Sequence, residues 1–247
     1  MKTLKTKHNR KSERGSALVY ILIAIALLAA LTVTFMEPSS QQTSSQSGFR
    51  TAAEVKGQVD VIRSSVQECI LRYARGDNAI ENDPGDDDEG ARIQYPINPD
   101  SSYLPVASQS GDQLVRNIRC PGNQGATAND HQPVFGGSTG KYLPAPPALF
   151  GEWQWYNGND GVFFWMATDK SDAYLKSSLA KIDENYSECE VDIIDNMSGG
   201  SAVNIDSDDT IACPSGALCF RVWMVTDNDT AVHADYTATS GCGAEAP

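Results

Sequence analysis

Ala17 to Met36 reads ALVYILIAIALLAALTVTFM, twenty residues without a formal charge. As a helix this run would rise about 30 Å, the thickness of a bilayer's hydrocarbon core. Ahead of it, residues 1–15 (MKTLKTKHNRKSERG) hold six Lys and Arg against one Glu. A buried globular helix can be equally apolar, but cations placed directly before such a run follow the positive-inside pattern. The run therefore predicts one membrane crossing, with residues 1–15 in the cytoplasm and everything after Glu37 outside.

The charge is split between the two sides. The first fifteen residues carry a net of +5, which leaves −18 for the rest of a chain whose total is −13. A body that acidic repels phosphate backbones, so no nucleic-acid partner is expected. All six cysteines, Cys69, Cys120, Cys189, Cys213, Cys219 and Cys242, follow the apolar run. An even count in an oxidising compartment reads as three disulfides, with fifteen possible connectivities. No C-x-x-C is present, which argues against a zinc site and against thiol redox catalysis.

An ordinary secretory signal places its small-residue cleavage site after the apolar core. Here the small residues come before it, in Arg14-Gly15-Ser16-Ala17, and the core is followed by TVTFMEPSSQQ. This arrangement resembles the leader of type IV prepilins and pseudopilins. The resemblance implies cleavage by a prepilin peptidase between Gly15 and Ser16, and a methylated amine on Ser16. It also implies placement in a bacterial inner membrane, single pass, with the head in the periplasm or on the cell surface. Pro38 would then be mature residue 23, near a common kink of this helix. The chain departs from the family at the fifth mature position, where Tyr20 replaces the usual Glu. In the family that Glu is thought to neutralise a neighbour's amine, and a buried carboxylate is tolerable only when paired. A tip subunit has no neighbour above it, so the departure points to a minor or tip-type subunit.

Beyond a Ser/Gln-rich stretch (Pro38–Ser47), Ala52, Val55, Val59, Ile62, Val66, Cys69 and Tyr73 recur at steps of three and four. Such spacing marks one buried face of a helix. Gly76 is placed to cap its C-terminus. The expected domains are a basic leader (1–15), a transmembrane helix (16–37), a stalk helix (38–76) and an exported acidic head (77–247).

Within the head, Glu152–Tyr156 and Val162–Thr168 read as a hairpin bridged by Asn157-Gly158-Asn159-Asp160-Gly161. A helix is expected over Asp172–Tyr186, with Leu175, Leu179, Ile182 and Tyr186 on one face and Ser171 as N-cap. Cys189–Ile194 and Leu218–Thr226 read as strands, the second a central one because both of its faces are partly apolar. The fold class expected is α+β: a long N-terminal transmembrane and stalk helix, then a disulfide-bonded head with an antiparallel sheet and a short helix.

Several motifs suggest other chemistry. Gly136-Gly137-Ser138-Thr139-Gly140 matches G-x-S-x-G, but a nucleophile elbow needs a following helix, which the prolines of KYLPAPPALF forbid. As a phosphate loop the same stretch has the wrong length and lacks the hydroxyl after Lys141. Asp83, Asp86, Asp87, Asp88 and Glu89, and the run Asp206–Asp209, could hold calcium through carboxylate oxygens, though neither has EF-hand spacing. No other cofactor is expected. Trp153, Trp155, Phe163, Phe164 and Trp165 could form an aromatic ligand strip or a core hairpin. Sequons begin at Asn185, Asn196 and Asn228, a pattern used in eukaryotic secretion and also frequent by chance.

The function expected is therefore structural and not enzymatic. The chain would assemble with other pilin-like subunits through its N-terminal helix, into a filament or a secretion apparatus. The alternative is an unprocessed anchored protein whose head binds calcium or another ligand.

Overall fold

The computed structural model describes residues 14–36, 40–74, 76, 94–104, 106, 109–121, 131–158, 161–187, 190–206 and 211–226. The chain divides into two compact units, Met1–Gln46 and Ser47–Pro247.

The first unit contains helix α1 (Arg14–Met36) and the start of α2 (Ser40–Arg72). Its Ala and Leu residues favour helix, which offsets the lower propensity of its β-branched Ile and Val. The expected α+β fold led by a long transmembrane and stalk helix does not hold. Among the described residues no helix is long and apolar enough to cross a membrane. The 33 residues of α2 are long enough, but they are dominated by Ser, Gln and charged side chains. The placement as a single-pass protein of a bacterial inner membrane, with a periplasmic or surface head, is corrected with it.

The second unit is built on a four-stranded antiparallel sheet in the order β1-β2-β6-β3. The strands are β1 (Gln154–Gly158), β2 (Gly161–Thr168), β3 (Val191–Asp195), β4 (Val203–Asn204), β5 (Ala212–Cys213) and β6 (Leu218–Thr226). The hairpin β1–β2 is tighter than expected, because Gly158 pairs with Gly161. Gly161 has φ 121°, a conformation that a side chain would strain. Strand β6 lies between β2 and β3, and the central position expected for it holds.

Both faces of the sheet are covered. On one, the seam of α2 (Val55, Val59, Ile62, Val66 and Cys69) joins Leu175, Leu179 and Ile182 of helix α3 (Ala173–Asp183). These pack on Trp153, Trp155, Phe164, Met166, Phe220 and Val222. Val55, Val59, Ile62 and Val66 are each fully buried. At about 25 cal/mol per Å² such burial is the main force holding α2 to the sheet. On the other face Tyr156, Phe163, Cys219 and Trp223 meet Ile205, Ile211 and Cys213, which flank or belong to the small β4–β5 pair. Successive strand residues point to opposite faces, which is how Phe163 and Phe164 enter different cores.

Helix α2 gives way to a turn at Tyr73, and Gly76, at φ 73°, donates its N–H to the Tyr73 carbonyl at 2.7 Å. The cap of α3 differs from expectation. Asp172 occupies the N-cap with extended backbone and makes no side-chain cap bond. Among the described residues, two disulfides pin the unit. Cys69–Cys120 joins the last turn of α2 to the irregular segment beside the sheet, and Cys213–Cys219 joins β5 to β6.

Candidate functional site

Among the described residues, helix α1 is the most extensive exposed apolar element. Every described side chain in it, residues 17–32, is exposed in the isolated chain. Leu18 is 62% exposed, Tyr20 71% and Leu28 63%. Apolar residues occupy all sides, and a helix of that kind is ordinarily buried all round. Gly15 and Ser16, the expected processing pair, stand in its first turn.

The outer face of α2 is different. Arg50 pairs with Glu54 at 2.8 Å and Lys56 with Asp60 at 3.4 Å, both four residues apart and exposed. Pairs of this kind contribute little to stability and keep the face solvated. Lys141 reaches the end of the helix and bonds Glu68 at 2.6 Å. That hydrogen bond holds the Glu68 carboxyl below its usual range.

Inside the head, polar groups tie elements together. Gln58, on the buried side of α2, accepts from the Trp153 indole at 2.7 Å and donates to the Ala145 carbonyl at 2.6 Å. In the second core Arg221 is fully buried and bonds Asp192 at 2.6 and 2.9 Å. Trp223 donates to the same carboxylate oxygen at 2.8 Å, and the guanidinium also reaches the Ile205 carbonyl. It lies 4.4 Å from the Trp223 ring centre and 5.4 Å from that of Phe163. The cluster spans β3, β6 and the end of the β4 segment, so it fixes the small pair to the sheet. Sequence reading missed both networks. The available signal was a polar residue inside an apolar run, Asp192 in β3 and Arg221 in β6, which the register sets opposite each other.

At the exit of α3, Glu190 accepts from Ser187 and from Arg63 at 3.0 Å. Burial alone would raise its carboxyl, yet the Ser187 N–H and the Arg63 guanidinium outweigh that and hold it low. The Lys176 ammonium, bonded at 2.6 Å, likewise lowers Asp195, helped by the Met197 N–H.

The motifs with other chemistry are not assembled into a site. Gly137–Thr139 forms one 3-10 turn between irregular segments, where a nucleophile elbow requires strand and helix. His131 is buried, and His233 lies outside the described residues. Asp83, Asp86, Asp87, Asp88 and Glu89 lie outside them too, as do Cys189, Cys242, Asp208 and Asp209. Among the described residues no group of three or more His, Cys, Asp or Glu is placed to hold a metal. The aromatic hairpin is core: Trp155, Phe163 and Phe164 are fully buried, and Trp153 nearly so. Three surface concavities measure about 170, 290 and 240 Å³, below the roughly 300–1,000 Å³ of small-molecule sites.

No family model matches the chain, and no curated protein or solved structure matches it either.

Proposed function

We propose that the chain is a pilin-like structural subunit of minor or tip type, which works by assembly with other subunits and not by catalysis. One observation carries this reading: α1 exposes apolar side chains on every side along residues 17–32. An apolar surface of that extent is a contact surface awaiting cover. The cover in this reading is protein: the N-terminal helices of neighbouring subunits. Close helix–helix packing suits its composition, because Ala24, Ala26, Ala29 and Ala30 let backbones approach between the larger Leu and Ile side chains.

Two further features support the reading. The Gly15-Ser16 junction stands where a prepilin peptidase would cut, at the start of the helix. Tyr20 puts a neutral side chain where the resemblance implies a carboxylate, which suits a subunit that need not neutralise a neighbour's amine. The disulfide-bonded head, for its part, offers an acidic surface and a rigid core for contacts at the end of an assembly.

N-terminal mass spectrometry of the full chain tests this. The expected product begins at an N-methylated Ser16, and replacing Gly15 with a bulky residue should block its formation. A chain that keeps Met1 in its native cells would remove the pilin-like reading.

A further inference from the structure

Glycan transfer to an N-x-S/T sequon requires an asparagine whose amide can leave the protein surface and enter a transferase. Of the three sequons, Asn228 lies outside the described residues. The structure separates the other two.

Asn196 is 4% exposed. Its Nδ2 donates to the carbonyls of Ser201 at 2.8 Å, Cys213 at 3.2 Å and Pro214 at 3.0 Å. Its own carbonyl accepts from the N–H groups of Gly199 and Gly216. A Cβ added to Gly199 would lie 1.6 Å from Asn196 Oδ1, so the turn closes directly onto this side chain. Extracting the amide would strand three carbonyls.

Asn185 sits in the opposite setting. It is exposed, just beyond the end of α3, where its Nδ2 donates to the Lys181 carbonyl at 2.6 Å and, at 3.5 Å, to Ile182. Releasing these bonds strands no fully buried carbonyl. Ser187, the hydroxyl residue of the sequon, is also exposed, and its Oγ donates to Glu190 at 3.1 Å. Between them Tyr186 is half-buried, with Lys56 and Arg63 at 5.6 and 5.1 Å from its ring centre. The anchored tyrosine presents both chemistry-bearing side chains outward at a helix end. Asp183 and Glu184 precede them in the chain. Disulfides such as Cys69–Cys120 and Cys213–Cys219 persist in oxidising compartments, where such transfer also takes place.

We propose that Asn185 is an N-glycan acceptor in the folded protein and that Asn196 is not. The donor is an oligosaccharide joined through its anomeric carbon to a lipid pyrophosphate. Asn185 Nδ2 bonds to that carbon while the bond from carbon to pyrophosphate oxygen breaks. The departing pyrophosphate keeps the electron pair, and a carboxylate of the transferase takes one amide proton. No oxidant or reductant is involved, and the proposal is independent of the assembly reading.

Intact-mass and glycopeptide mass spectrometry of the full chain from its native cells provides the test. The expected chain is heavier than its polypeptide by one oligosaccharide, carried on the peptide that contains Asn185. Ser187→Ala, which breaks the sequon but keeps the Asn185 cap on Lys181, should lose the added mass completely. Asn185→Gln, whose amide can still cap the helix, should lose it as well. An unmodified Asn185, or a glycan carried on Asn196 or Asn228 in its place, would overturn the proposal.

Discussion

Arg221 is a cation with no exposed surface in the middle of a central strand, and its neighbours explain how it is tolerated. Two of its nitrogens bond the Asp192 carboxylate, a third reaches the Ile205 carbonyl, and two aromatic rings flank the guanidinium. Desolvating an ion pair costs several kcal/mol, and such a pair stays only when its remaining hydrogen-bonding groups are also satisfied. Trp223 completes that requirement on the carboxylate side. Breaking the pair by removing one partner should therefore be much worse than never having had it. Arg221→Met is expected to destabilise the head by about 3–5 kcal/mol, because it leaves Asp192 buried without its cation. Adding Asp192→Leu to that variant should recover a large part of the loss. Chemical denaturation of the single and double variants checks this, and equal stabilities would show that the carboxylate is not held by the arginine.

At the scale of elements, the two disulfides perform unequal tasks. Cys69–Cys120 closes a separation of 51 residues and ties α2 to the irregular segment beside the sheet, whereas Cys213–Cys219 closes only 6. Loop-closure entropy in the unfolded chain grows with the logarithm of loop length. Removing the first should cost about 4 kcal/mol and removing the second about 2 kcal/mol. Thermal melts of Cys69→Ala/Cys120→Ala and Cys213→Ala/Cys219→Ala test the order, which a larger fall in the second variant would reverse. The cysteines themselves were evident in the sequence, but which of them pair is a property of the fold. The same division runs through the other elements. The seam of α2 was legible because its spacing of three and four survives any packing partner, and every one of its central residues is buried. Strand β6 was legible for a similar reason, with apolar residues on both faces. Strands β4 and β5, of two residues each, carry no periodicity and exist only because the second core needs a cover. The Asp192–Arg221 bond joins residues brought together by strand register, and Gln58 reads as a break in a seam until Trp153 is placed beside it. The apolar run misled in another way: hydropathy alone suggests a span, while among the described residues no helix is long and apolar enough to cross a membrane.

For the whole molecule, the two compact units make different demands. Among the described residues, the head buries two apolar clusters, one on each side of its sheet. Helix α1 leaves Leu22 57% exposed and Leu28 63% exposed, amid neighbours that are equally bare. If other subunits supply the cover, the interface is a dry one, and an unpaired charge placed inside it would be costly. Leu22→Arg puts a guanidinium in the middle of that surface and leaves every residue of the head unaltered. Association between subunits should weaken at least tenfold, equivalent to about 1.4 kcal/mol or more. The melting temperature of the head should hardly move, because a substitution outside its core stays within about 0.5 kcal/mol. Sedimentation of the purified full chain over a concentration series reads the first effect, and calorimetry reads the second. Unchanged association would mean that α1 is not the assembly surface, and a head destabilised by the same substitution would mean that the helix belongs to the fold of the head.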